Sequence, residues 1–303
     1  MPAGSSRCPV IEPTVPAERP LLTPTAVRRL LAEHALAPSR RRGQNFVIDV
    51  NTVRKVVRDA GVAAGDLVVE IGPGLGSLTL ALREAGARII AVEIDAGLVR
   101  ALTEVLGEDP GVRVIHADAL ATDLGTLTEH FGGLAAAPPR HPRLVANLPY
   151  SIATALVLRA LETGVFEHLL VMVQREVGQR WAAKPGDPRY GAVSVKIAAL
   201  AEARVAAAVP RGAFYPVPNV DSVTVALQPR PWNRDMDRGQ VLALVEAGFA
   251  QRRKRLRNAL ARPERAPVVV EAALARAGLE EGARAEELDL DQWAALAEAL
   301  HAG

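Results

Sequence analysis

Cysteine is nearly absent: Cys8 is the single thiol among 303 residues, so no internal disulfide can form. A chain without such staples suits a reducing, cytoplasmic setting and must be held by its own core. No apolar run approaches the roughly 20 residues a membrane helix needs. The first residues lack the basic-then-apolar pattern of a secretory leader, so export is not expected. Lysine occurs only at Lys55, Lys184, Lys196 and Lys254, leaving arginine to carry nearly all the positive charge. Arginine suits phosphate forks and stacking on bases, although a compositional bias of the genome would produce the same count. Net charge is only +2, which by itself selects no partner. His34, His116, His130, His141, His168 and His301 show no metal-ligand spacing, so no metal is expected. No internal repeat is visible. What is present is ordinary for a globular chain: 49% hydrophobic and 23% charged residues, enough to bury a real core.

Residues 1–22 contain five prolines and no apolar period, and read as a disordered tail. A short helix is expected from Thr25 to His34, with Thr23 capping it ahead of Pro24. The basic loop SRRRGQNFVID follows, then an amphipathic segment through Val57. From Asp66 short apolar runs alternate with helical patterns. DLVVEIG, ARIIAVEID, VRVIHAD, RLVAN and HLLVMVQ read as strands, with helices between most of them. Such alternation predicts a parallel sheet covered on both faces. Past the proline-punctuated RGAFYPVPNVD comes one late strand, SVTVALQP. From Arg238 onward the pattern is wholly helical, including a long VLALVEAGFAQRRKRLRNAL. The expected division is a tail at 1–22, an α/β domain at 23–232 and a helical domain at 233–303.

GPGLG, with Gly72, Gly74 and Gly76, follows a strand and opens a helix. Glycines there let backbone approach a ligand closely, though tight turns use them for steric reasons too. Glu93 ends the next strand, where a carboxylate can accept both ribose hydroxyls, and Asp118 ends the third, within reach of an adenine amine. Three such features at one sheet lip predict a nucleoside-bearing cofactor. The spacing is GxGxG rather than GxGxxG, preceded by Glu70. It resembles the E/D-x-G-x-G-x-G motif of class I S-adenosylmethionine (SAM) methyltransferases, which implies SAM rather than NAD.

Asn147-Leu148-Pro149-Tyr150 ends the fourth strand. It resembles the (N/D/S)-(P/I/L)-P-(Y/F/W) motif of methyltransferases that act on exocyclic base amines. The chemistry suits these residue types. The lone pair of an adenine amine is delocalised into the ring, and carbonyls of Asn147 and Leu148 accepting its hydrogens would localise it. Tyr150 would stack on the extruded base while Pro149 stiffens the turn. No strong base is needed, and none is evident.

RRRGQNFVID resembles the GQNFL-x-D motif of rRNA adenine N6-dimethyltransferases, with Val47 in place of the usual leucine. The resemblance implies that Asn45, Val47 and Asn147 border the SAM site. FYPVPNVDS is similar to that family's F-x-P-x-P-x-V-x-S segment, departing at Val217 and Asn219. By resemblance, Phe214 would give the second stacking face. QREVGQRWAAKPGDPRYGAVSV (174–195), GFAQRRKRLRNAL (248–260) and RAEEL (284–288) look like the bacterial small-subunit (16S) branch. The likeness spans roughly residues 40–300. It implies a class I SAM-dependent methyltransferase fold, α/β with a Rossmann-like, mostly parallel sheet, plus a small C-terminal all-helical domain. The implied activity is dimethylation of N6 on two adjacent adenines in the 3′-terminal hairpin loop of 16S rRNA.

Arg252, Arg253, Lys254, Arg255 and Arg257 crowd into little more than one expected helical turn, and Arg40, Arg41 and Arg42 form a second basic run. Both are candidate phosphate contacts. The expected partner is 16S rRNA in a small-subunit particle, met by a cytoplasmic monomer. Two other readings stand. One is a 23S rRNA adenine methyltransferase of the macrolide-resistance type; the other is a non-catalytic RNA-binding assembly factor, which degraded site motifs would mark.

Overall fold

In the computed structural model, residues 19–39, 43–127, 142–263 and 265–302 are described. Thr23 caps α1 (Pro24–Glu33) through its hydroxyl, which accepts the Ala26 N–H. After the two-residue strand β1 (Phe46–Val47), Asp49 caps α2 (Val50–Asp59). The alternating core then runs β2 (Leu67–Ile71), α3 (Ser77–Glu84), β3 (Arg88–Glu93), α4 (Ala96–Leu106) and β4 (Val112–His116). It resumes with β5 (Arg143–Asn147), α5 (Ala153–Glu162), β6 (His168–Gln174), α6 (Arg175–Trp181) and α7 (Ala192–Ala198). β7 (Ala201–Val209), β8 (Phe214–Tyr215) and β9 (Ser222–Pro229) follow. The last helices are α8 (Arg238–Ala250), α9 (Leu256–Ala259), α10 (Pro267–Arg276) and α11 (Leu290–His301).

Seven strands form one sheet in the order β4-β3-β2-β5-β6-β9-β7, parallel from β4 through β6 and antiparallel at β9 and β7. Along β2, Val68 joins one core cluster while its neighbours Leu67 and Val69 join another. That alternation is the mark of a strand covered on both faces, by α1–α4 on one side and α5–α6 on the other. The chain leaves β2 toward β3 and β4, then crosses back to β5. A crevice therefore opens beyond the carboxyl ends of β2 and β5, where the strand order reverses.

Three expectations change. The described end of the supposed tail is part of the fold: Leu22 is buried in the first core cluster, and Arg19 donates to the Val105 carbonyl at 2.7 Å. β7 escapes sequence reading because AEARVAAAV is mostly alanine, a weak strand former. It is a strand only because β9 pairs with it from Ala201↔Pro229 to Val209↔Ser222. The long basic helix is broken. α8 stops at Ala250, Arg255 is extended (φ −61°, ψ 144°), and Arg255 bridges Arg284. Clustered cations disfavour a helix. Leaving it lets Leu256 become fully buried and donate its N–H to Ala283 at 2.8 Å.

The third core cluster, around Trp293, gathers the last four helices but also takes Tyr190 and Val195 from the α7 region. Trp232, at the expected domain boundary, packs against the same cluster.

Candidate active site

β2 ends at Ile71, and the backbone reverses through Gly72 (φ +69°) and Gly74 (φ +59°). A Cβ on Gly74 would lie 3.0 Å from the Phe46 ring, so only glycine leaves room there. Gly72 lies close to the turn after β5, where an added Cβ would be 3.7 Å from Pro149. The two motifs that were far apart in sequence thus meet and line one cavity of about 370 Å³.

The cavity gathers Asn45, Val47, Gly72, Gly74, Glu93 and Asp118. It also gathers Asn147, Leu148, Pro149 and Tyr150. Glu93 is buried, and its carboxylate accepts the N–H groups of Gly74 (3.2 Å) and Asp95 (3.0 Å). Burial pushes its pKa up, while these N–H bonds hold it down. Asp118, two residues past β4, accepts the Leu120 N–H at 2.8 Å. Sequence reading used Glu70 only as a spacing mark, yet it lines the cavity with 1% exposure. Burial raises its pKa to about 8, against a 2.7 Å bond from the Thr79 hydroxyl. The E-x-G-x-G pattern was the signal for it. Ile94, exposed to 57%, and Ile152 supply apolar wall that no motif flagged.

Asn147 is oriented. Its amide nitrogen donates to the Asn45 backbone carbonyl at 3.0 Å, which turns the side-chain oxygen into the free acceptor. The Leu148 N–H is committed to the Met172 carbonyl at 3.1 Å, leaving the Leu148 carbonyl as a second acceptor. The Tyr150 hydroxyl lies 3.0 Å from Ser222 Oγ at the start of β9, and burial raises its pKa, so it stays protonated at neutral pH. Ser222 is fully buried and was not among the expected site residues.

Phe214 is the exception. It is 1% exposed, sits in the core and is not on the cavity wall. Its place follows from β1 and β8, which pair antiparallel as Phe46↔Tyr215 and Val47↔Phe214. Phe214 thus packs behind the GQNFV segment, on the core side of the site. Arg40, Arg41 and Arg42 lie outside the described residues. Arg253, Lys254 and Arg255 are exposed in the turn after α8, whereas Arg252 and Arg257 are engaged by Glu286 and Glu281.

Three carboxylates (Glu70, Glu93 and Asp118) and no cationic side chain among the described residues border the cavity. A pyrophosphate would meet repulsion there, whereas a cofactor carrying positive charge fits. Fold and site together define a class I SAM-dependent methyltransferase. The ribosomal RNA adenine dimethylase family matches residues 38–302, and this chain belongs to it. The chain is 48% identical over 285 residues to the ribosomal RNA small subunit methyltransferase A of Thermobifida fusca (strain YX), covering 93% of this chain and 97% of that one. Among solved structures, the 23S rRNA methyltransferase ErmE is similar at 29% identity and a TM-score of 0.62, covering 85% of this chain and 100% of that one. A dimethyladenosine transferase from Plasmodium falciparum shares the fold at 21% identity and a TM-score of 0.66, covering 83% of this chain and 95% of that one.

Proposed function

We propose that this protein dimethylates N6 of two adjacent adenines in the hairpin loop near the 3′ end of small-subunit rRNA, a step of ribosome biogenesis. The observation that carries this reading is the locked amide of Asn147 beside the anchored ring of Tyr150, at the mouth of an acid-lined cavity. Gly72, Gly74, Glu93, Asp118 and the backbone at Asn45 and Val47 would hold SAM, which supplies a methyl group on a positively charged sulfur when bound. The Asn147 side-chain oxygen and the Leu148 carbonyl accept the two N6 hydrogens and hold the amine so that its lone pair points into the cavity. Tyr150 stacks on the flipped base. Pro149 keeps the turn from relaxing. Neither Asn147 nor Leu148 removes a proton; the methylated amine is acidic enough to release its own to water.

Residues up to about 232 carry the transfer, and the helices beyond bind RNA. The protein acts as a cytoplasmic monomer, without an obligate protein partner. No helix among the described residues is long and apolar enough to cross a membrane.

The deciding assay offers labelled SAM with either unmethylated small-subunit particles or naked large-subunit rRNA, then maps the modified bases. Label on adjacent adenines of the small-subunit hairpin is expected. Label in large-subunit rRNA alone would move the chain to the ErmE-type activity. No label on either RNA, with SAM binding intact, would point to the assembly-factor reading.

Tyr150 gives a graded test. Tyr150→Ala removes a stacking face worth about 1–3 kcal/mol, so kcat/KM should fall roughly 5- to 150-fold. Tyr150→Phe keeps the face and loses only the Ser222 bond, so its loss should be several-fold and mainly in KM. Equal losses in both variants would show that the hydroxyl, and not the ring, carries the function.

A further inference from the structure

His116 is the last residue of β4; it is exposed and does not line the catalytic cavity. Its Nε2 nevertheless lies 3.1 Å from the carbonyl oxygen of Ile94, the residue after β3. A carbonyl oxygen can only accept, so Nε2 carries a hydrogen and donates it. The ring can do so both neutral and charged.

This bond closes on one peptide group. The link between Ile94 and Asp95 offers a C=O from Ile94 and an N–H from Asp95. His116 holds the C=O, while Glu93 Oε1 accepts the N–H at 3.0 Å. The other carboxylate oxygen, Glu93 Oε2, accepts the Gly74 N–H at 3.2 Å. The segments on either side are anchored separately. His116 stands opposite Glu93 in the parallel pair β3–β4, and the Ala117 N–H donates to the Glu93 carbonyl at 3.0 Å. Beyond the turn, Asp95 Oδ1 accepts the Gly97 and Leu98 N–H groups and starts α4. The peptide plane between these anchors can tilt unless both of its ends are held. With its carbonyl on His116, the plane aims the Asp95 N–H at Glu93. It thereby fixes the direction of the lone pairs that the carboxylate still has to offer.

We infer that His116 is a positioning residue for the ribose of the cofactor. It acts from outside the cavity, by holding the Ile94–Asp95 peptide and through it the Glu93 carboxylate. The inference rests on the reading of Glu93 as the acceptor of the ribose hydroxyls. It gives a task to a histidine whose spacing suits no metal, and it needs no change in the chemistry of transfer.

The test is calorimetric binding of two probes to the full chain: S-adenosylhomocysteine, and the same compound lacking both ribose hydroxyls. The wild type should prefer the first. His116→Ala should weaken binding of the first about 3- to 10-fold, the worth of one net hydrogen bond, and leave the second nearly unchanged. Its preference for the ribose hydroxyls therefore shrinks. His116→Gln keeps an N–H donor at the end of the side chain and should restore much of that preference. Because His116 is exposed, the melting temperature should stay close to that of the wild type in both variants. A His116→Ala protein that binds both probes as the wild type does would overturn the inference. So would equal weakening for both probes, which would mean that the turn had loosened without any particular effect on Glu93. If the wild type itself binds the two probes equally well, the ribose reading of Glu93 fails first and the role of His116 falls with it.

Discussion

Asn147→Ala should lower the rate of methyl transfer by about 10²–10³-fold, the usual cost of removing one preorganised polar group that meets developing charge. Two effects combine in that loss. The side-chain oxygen that accepts an N6 hydrogen disappears, so the amine is no longer held with its lone pair directed at the cavity. The tie from the Asn147 amide to the Asn45 carbonyl at 3.0 Å disappears too. GQNFV would keep its pairing with β8 but lose this tie to the NLPY turn. Affinity for SAM should drop only a few-fold, because Glu93, Asp118 and the glycine loop are untouched. Asn147→Asp separates the two effects. A carboxylate still accepts from an amine but cannot donate to the Asn45 carbonyl, and two oxygens would face each other there. Single-turnover rates and calorimetric SAM binding on both variants are the measurements. Turnover near the wild-type rate in Asn147→Ala would mean that the NLPY turn is merely a turn.

The apo protein should lose stability as pH rises from about 5 to 8, and Glu70→Gln should remove most of that loss. Glu70 keeps its proton in the fold up to about pH 8, whereas a carboxyl of the unfolded chain gives it up near pH 4.3. Between these values the folded state binds more protons, so its stability is full below the lower pKa and declines until the upper one is passed. The slope for one such group reaches at most about 1.4 kcal/mol per pH unit. Over this window the sum is several kcal/mol, large enough to move the melting temperature by several degrees. Glu93 is shifted in the same direction and adds a smaller part. Glutamine mimics the neutral acid and can still accept the Thr79 hydroxyl. Melting curves of both proteins at pH 5, 6.5 and 8 decide the matter. Parallel pH profiles for wild type and variant would show that Glu70 is ionised in the fold.

The raised pKa of Glu70 also bears on how the site works. Glu70 is buried beside a cavity whose wall carries no lysine or arginine among the described residues, and burial raises its pKa to about 8. Charge on the ligand then stabilises the ionised form, so ligand binding and deprotonation are coupled at this residue. Glu93 is anchored differently, by two backbone N–H groups, and is accordingly the carboxylate better prepared for hydroxyl contacts.

Much of this protein was legible in its sequence. The parallel core was, because buried strands and covering helices have different apolar periods, and five such strands appear where they were expected. So were the strand-end residues Gly72, Glu93, Asp118 and Asn147, since a parallel sheet brings its carboxyl ends to one lip whatever the loops do. Only the tertiary structure decided the rest. β7 exists because β9 pairs with it, not because alanines favour a strand. Phe214 is in the core because β8 pairs with β1, a contact across 167 residues that no local pattern encodes. Arg252 pairs with Glu286 because burying Leu256 ends the helix that would have carried it further along its own axis. The physical reason is common to all three. Periodicity and motif spacing report a residue's local conformation, whereas its partner is set by packing between segments distant in the chain, where burial and ion pairing decide which side chains remain free.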